Sequence, residues 1–232
     1  MERARTIEKF VQLLKKSPSG AVFNPWWQVD EKNDIGPSAP AIRRKQLRAY
    51  LRQRLGKEKL ALIGEAVGYR GGHFSGIPMT SERILLGRSN KVRMKSDDLL
   101  SDVKPRRTSK SEKWPDGFSE PTATIVWGEL LRLGLKPDQF VLWNAFPWHS
   151  FEPHRGILSN RTPNKSEGSA GLPVLKAFLE LFPCEQVVAL GKIAATQLEK
   201  LDVDAHYVRH PASGGAKLFR QQIAALVQRL RD

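Results

Sequence analysis

The sequence predicts an α/β fold: a three-layer α/β/α arrangement around a central, mainly parallel four-stranded sheet. Two observations predict it. Four short apolar runs stop at glycine or polar residues, and segments of helical periodicity alternate with them. At 232 residues the chain is long enough for one well-buried core. It reads as a single domain over residues 1–232, with 1–58 an N-terminal helical and loop region and 87–120 a basic loop insertion.

The elements follow in order. Residues 4–16 predict an amphipathic helix, with Ile7, Phe10, Val11 and Leu14 on one face and Pro18, Ser19 and Gly20 stopping it. Residues 21–40, rich in Pro and Trp, predict packed loop. Residues 41–56 predict a second helix, and Arg43, Arg44, Lys45, Arg48, Arg52, Arg54 and Lys57 leave it little acidic compensation, so it is expected to meet phosphates. The predicted strands are Lys59–Glu65, Gln139–Ala145, Glu185–Leu190 and Ala205–Arg209. The helical patterns between and after them are Thr122–Leu133, Leu172–Leu181, Ile193–Leu201 and Ala216–Arg231. Residues 87–120 break the rhythm. Polar, basic and poor in apolar side chains, they predict a long surface loop or partly mobile insertion, either a solvated linker or a DNA contact.

Charge narrows the partners. Thirty-eight Lys and Arg against 24 Asp and Glu give +14, with a pI near 10.1. A chain this basic is expected to meet a polyanion, most often nucleic acid, although charge alone leaves an anionic membrane or the ribosome open. Cys184 is the single cysteine, so no internal disulfide and no four-cysteine metal site can form. No apolar run approaches the roughly 20 residues of a membrane span, and MERARTIEKF has no apolar signal core. A cytoplasmic, nucleoid-associated monomer without a membrane partner is expected.

Parallel sheets bind ligands at the carboxyl ends of their strands. The first predicted strand ends at Gly64-Glu65-Ala66, the second at Asn144-Ala145 and the fourth at Arg209-His210-Pro211. A carboxylate, an amide and an imidazole therefore converge on one edge. The glycine-rich stretch 64–82 is no phosphate loop, because no Gly-Lys-Ser/Thr follows, and it lacks dinucleotide spacing. His149 and His154 have no evident third metal ligand, so no metal is expected.

GEAVGYRGGHFSG resembles the first motif of the uracil-DNA glycosylase superfamily, VLWNA its second-strand segment with a pocket Asn, and RHPASGG its late His-Pro-Ser motif. The three occur in the family's order over residues 59–220. The resemblance implies the glycosylase fold and hydrolysis of the bond between uracil and deoxyribose in single- or double-stranded DNA. It implies that Glu65 positions a water and steadies the sugar cation, and that His210 donates to the departing uracil. It implies a base pocket of Asn144, Phe74, Gly64, Ala66 and Tyr69. Asn144 would read uracil against cytosine, Phe74 would stack on the base, and Tyr69 would filter the thymine methyl. The target base must be flipped out of the duplex. The loop after His210 would meet DNA through Arg209, Pro211, Ser213, Gly214, Gly215, Lys217 and Arg220, with Arg209, Lys217 or Leu218 as the wedge. The sequence departs from the family at Val67, where Pro is usual, and in lacking the four cysteines of the iron–sulfur branch. No cofactor is expected. No lysine is placed as a Schiff-base nucleophile, so hydrolysis without strand cleavage is expected. A non-catalytic protein that recognises abasic or damaged DNA, or a small-molecule α/β enzyme, would also suit the charge and rhythm.

Overall fold

The computed structural model describes the backbone of residues 2–230 and the side chains of residues 5–230. Helix α1 (Glu2–Leu13) is followed by a two-residue strand β1 (Val22–Phe23), helix α2 (Ala39–Arg54) and strand β2 (Leu60–Ala66). Short helices α3 (Gly72–Ser75), α4 (Glu82–Leu85) and α5 (Ser96–Leu99) lead to α6 (Pro121–Arg132), β3 (Phe140–Phe146) and β4 (His149–Ser150). Then come α7 (Lys165–Leu181), β5 (Gln186–Leu190), α8 (Lys192–Glu199), β6 (His206–Val208) and α9 (Ala216–Arg229). Arg231, placed at the end of the last predicted helix, lies outside the described residues.

The main sheet runs β3-β2-β5-β6 with every pairing parallel, as the rhythm predicts. All seven residues of β3 are buried, so a continuous apolar run marks a strand covered on both faces. Side chains alternate across a strand. Phe140 meets Trp127 of α6 at 4.9 Å between ring centroids. Trp143, on the opposite face, stacks on Phe178 of α7 at 4.9 Å and meets Phe10 of α1 at 5.1 Å. Helices therefore cover both faces, and Asn144 shares the α6 face with Phe140.

Helix α2 guards the free edge of β3. The Tyr50 hydroxyl accepts from Leu142 N–H at 2.7 Å, and Arg54 Nε donates to the Phe140 carbonyl at 3.1 Å. An edge strand is thus satisfied by side chains instead of a neighbouring strand. This corrects the expectation that α2 presents its charges to phosphates. Arg54 is fully buried over the Tyr50 ring. Arg43 is fully buried in a bidentate pair with Asp34, at 2.7 and 3.0 Å. Arg48 pairs with Glu8 of α1. Lys45 and Arg52 remain exposed.

Three further expectations need correction. Residues 21–40 are not all loop, since β1 pairs antiparallel with β4. Helix α7 starts seven residues before the predicted Leu172, because Asn164 accepts from Glu167 N–H while the Glu167 side chain returns to Asn164 N–H. Residues 87–120 form the expected surface loop, mostly exposed, but anchored and not a free solvated linker. Val92, Leu99, Leu100 and Phe118 enter the core. The buried Glu82 carboxylate accepts from the backbone N–H of Thr108, Ser109 and Phe118 at 2.8, 3.0 and 3.3 Å, and from the Ser109 hydroxyl. One carboxylate holds the insertion down, which polar composition conceals.

Among the described residues no helix is long and apolar enough to cross a membrane.

Candidate active site

A cleft of about 500 Å³ opens at the carboxyl edge of the sheet. Gly64, Glu65 and Ala66 reach it from β2, Asn144 from β3, and His210, Ala212 and Ser213 from the loop after β6. The predicted carboxylate, amide and imidazole are brought together. Glu65 and His210 also border an adjoining hollow with Lys192, Ile193, Tyr207 and Arg209.

Asn144 is oriented by backbone. Parallel register sets it beside Gly64. Its Nδ2 donates to the Ala66 carbonyl at 3.0 Å, which assigns the amide nitrogen to that side. Its Oδ1 is left buried with no partner. A buried amide oxygen without a donor is rare in a folded protein and calls for one from elsewhere. Gly64 makes room for this geometry: a Cβ there would sit 2.8 Å from Asn144 Nδ2 and 3.1 Å from Met79 Sδ.

His210 is held in one tautomer. Its Nδ1 accepts from Ala212 N–H at 3.1 Å, so a neutral ring carries its proton on Nε2. Burial, and then the charge of Arg209, lower its pKa. The ring is therefore a neutral Nε2–H donor at neutral pH. Gly191 ends β5 at φ +88°, a backbone region that favours glycine, and a Cβ there would stand 3.1 Å from His210 Cβ. Among the described residues, non-glycine positive φ occurs at Met79, Asp202 and Ser213, and two of these line the cleft. Backbone strain of this kind gathers at functional sites.

Two predicted pocket residues lie elsewhere. Phe74 is fully buried and stacked on Phe118, with centroids 4.4 Å apart and planes 5° apart. It does not line the cleft, because α3 turns it toward the packed insertion. Tyr69 does not line it either. Its N–H donates to Asn160 Oδ1, its ring meets Phe118 edge-on and its hydroxyl accepts from Arg70.

The DNA-facing set divides. Arg209, Ser213, Gly214, Lys217 and Leu218 are at least partly exposed, Leu218 at 46%, and of these Ser213 lines the cleft and Arg209 the adjoining hollow. Pro211 and Gly215 are buried and offer no contact surface. Gly215 packs so closely under the His210 carbonyl that a Cβ would fall 2.0 Å from that oxygen. Arg220 stands 3.7 Å from Glu129 in a separate basic groove with Arg83, Lys91 and Arg132. The groove abuts the cleft through residues 119–122.

Sequence reading missed Met79, Glu120, Thr122, Ser150 and residues 160–162, all of which line the cleft. Met79 sits in the glycine-rich stretch and was within reach. Residues 160–162 carry no motif and arrive through tertiary structure. The histidine of β4, His149, shares a hydrogen bond of 3.0 Å with His73 through their Nδ1 atoms and donates from Nε2 to the Ser159 carbonyl at 2.7 Å. Both ring nitrogens are engaged in bracing that wall. Among the described residues no group of three or more His, Cys, Asp or Glu is placed to hold a metal.

A family model, the uracil DNA glycosylase superfamily, matches residues 55–228. Among solved structures, wild-type SMUG2 of Pedobacter heparinus is similar, with a TM-score of 0.63 over 97% of this chain and 98% of that one, at 13% identity. At that identity the likeness shows the fold. No curated protein matches the chain.

Proposed function

The chain belongs to the uracil DNA glycosylase superfamily, and on that premise we propose that this DNA glycosylase releases uracil by hydrolysis and leaves an abasic site. The observation that carries the reading is the unpartnered Asn144 Oδ1 in the cleft. Uracil presents an N3–H donor to such an oxygen. Cytosine presents a bare N3 lone pair, which would leave both acceptors unpaired in a desolvated pocket.

The other groups fall into roles around that contact. As the C1′–N1 bond breaks, its electron pair passes to the base and positive charge grows on the sugar. Glu65 lies at the strand end to steady that charge and to orient the water whose oxygen bonds C1′ and whose proton is released. The His210 Nε2–H donates to the uracil O2, where negative charge develops. Met79, in the cleft lining against Gly64, takes the place of Phe74 as the surface under the base. A thioether packs against a π-face favourably. Leu218, exposed on the first turn of α9, is the apolar wedge of the set, and Lys217, Arg209 and Ser213 lie where phosphates would pass. Residues Pro211 and Gly215 shape the loop instead of touching DNA.

The test is a labelled uracil oligonucleotide, single-stranded and opposite guanine or adenine, assayed for alkali-labile sites. Wild type should cleave the glycosidic bond, and Glu65→Gln should lower the rate by at least about 100-fold with DNA affinity retained. Binding without turnover on any of these substrates would favour the non-catalytic alternative, a sensor of abasic or damaged DNA.

A further inference from the structure

The hollow beside the cleft holds side chains with no role so far. It has a volume of about 580 Å³, and Lys192, Ile193, Tyr207 and Arg209 line it together with Glu65 and His210, which it shares with the cleft. Strand β6 is an edge of the sheet. Its Val208 is buried, while Tyr207 and Arg209, two residues apart, both reach the hollow. Ala194 and Leu198 are the buried side of α8, which leaves Ile193 outward. Of the five large apolar side chains that stand exposed among the described residues, Tyr207 is the only aromatic one, at 46%, and Ile193 lines the same hollow. Tyr207 has no ring contact and no side-chain hydrogen bond among the described residues. Neither Lys192 nor Arg209 has an acceptor there for its charged group.

We propose that this hollow is a second nucleobase site, in which Tyr207 stacks on the base next to the flipped uracil in the same strand and Arg209 meets the phosphate between them. The inference rests on the uracil reading above and deepens it, by naming the state of the strand that the protein favours. Glu65 and His210 flank the bond that breaks, and both also line the hollow. A strand leaving the cleft at that bond therefore passes Tyr207. Every base has a π-face, so stacking on a tyrosine asks for no particular sequence. Unpaired cations beside an exposed ring suit a nucleotide, with its phosphate and its base, and do not suit an apolar guest.

The site distinguishes strand states. A base in a regular duplex is paired and stacked, and it cannot turn into the hollow without giving up its partner. An unpaired base gives up only its stacking, which the tyrosine ring replaces. Tyr207 should therefore contribute strongly on single-stranded DNA, or where the base beside the uracil is unpaired, and little on a regular duplex.

The experiment is the affinity of wild type, Tyr207→Phe and Tyr207→Ala for fluorescent oligonucleotides, single-stranded and duplex, read by anisotropy. Each oligonucleotide carries one 2′-fluoro-deoxyuridine, whose glycosidic bond resists cleavage. The alanine variant should bind the single strand about 5- to 150-fold more weakly than wild type, with little change on the duplex, and the phenylalanine variant should stay near wild type on both. The 5′ or the 3′ neighbour of the uracil is then replaced by a base-free spacer. One of the two replacements should weaken wild type by the same factor and leave the alanine variant unaffected. An alanine variant that binds single strands as wild type does, a loss equal on both forms or confined to the duplex, a phenylalanine variant as weak as alanine, or spacers that leave wild type unchanged or weaken both proteins alike would overturn the site. Release of ordinary uracil from the same single strand is followed in parallel. A wild type that releases none overturns the function proposed above, while the affinity comparison decides Tyr207 by itself.

Discussion

Replacing Gly64 with alanine perturbs the geometry of base reading without deleting any polar group. The new Cβ would lie 2.8 Å from Asn144 Nδ2, short of ordinary 3.4 Å contact by about 0.6 Å. Backbone cannot yield, because the parallel ladder pins Gly64 beside Asn144 on one side of β2 and Ile63 beside Ala189 on the other. Met79 Sδ, 3.1 Å from the same Cβ, crowds it further. The Asn144 amide must therefore move, and its bond to the Ala66 carbonyl lengthens. Losing that bond costs about 1 kcal/mol of stability, a melting shift of a few degrees. Catalysis should suffer more. A misplacement of about 1 Å at a positioning group is worth about 100-fold, so a smaller shift should lower uracil release by about 10- to 100-fold, or about 1.4–2.7 kcal/mol in the barrier. Single-turnover release from a uracil oligonucleotide, with a thermal melt of the same preparation, separates the two effects. A variant with the wild-type rate would refute the assignment of Asn144 as the base reader.

Other substitutions test other links. His210→Ala should slow the chemical step by about 10²- to 10³-fold while DNA binding by fluorescence anisotropy stays close to wild type; an unchanged step would remove the imidazole from the leaving-group site. Asp34→Ala leaves Arg43 buried and unpaired, with both side chains fully inaccessible in the wild type. It should cost about 3–5 kcal/mol in urea unfolding, and a loss below about 1 kcal/mol would show that the pair is dispensable. Stability against pH reports Glu120 opposed by three histidines that burial lowers, His73, His149 and His210. Burial, followed by the neighbouring His73, holds His149 down to about 3 from 6.5. The unfolded chain therefore gains a proton as pH falls from 6.5 while the folded chain does not, and stability is lost across that window. Glu120, raised from 4.5 to about 7, adds stability as pH falls over 7 to 4.5. The wild type should weaken as pH falls below about 6.5, and Glu120→Gln should weaken more steeply over 6.5 to 4.5 because the opposing gain is gone. Superimposable profiles from thermal melts would contradict the Glu120 assignment, and no loss below pH 6.5 in the variant would contradict that of His149.

The fold was legible because burial writes itself into sequence. A strand covered on both faces must be apolar throughout, as FVLWNAF is, and such runs alternating with helical periods leave few alternatives to a parallel sheet. The strand ends were legible for a related reason. Gly64-Glu65, Asn144 and His210 are polar residues at the ends of apolar strands, where a parallel sheet places its ligands.

Charge was not legible in the same way. The basic helix α2 looks like a phosphate surface, yet Arg43 and Arg54 are interior struts. Whether an arginine faces water depends on an acceptor outside its own helix, here Asp34 for one and the Phe140 carbonyl, 86 residues on, for the other. The 87–120 insertion read as a solvated linker for the same reason, since one distant carboxylate, Glu82, satisfies part of its backbone.

The sequence by itself determined the parallel sheet, the family and the three polar groups on its edge, because hydrophobic period and strand-end chemistry are local signals. Tertiary structure decided the rest of the pocket. It stacked Phe74 away on Phe118, put Met79 against Gly64, and brought Glu120 and residues 160–162 to the cleft from segments with no motif. It also set the state of each group: Ala66 turns the Asn144 amide, Ala212 selects the His210 tautomer, and burial without a partner raises Glu120. Residue type is written in the chain. The partner that fixes its proton and its direction is known only once the chain has folded around it.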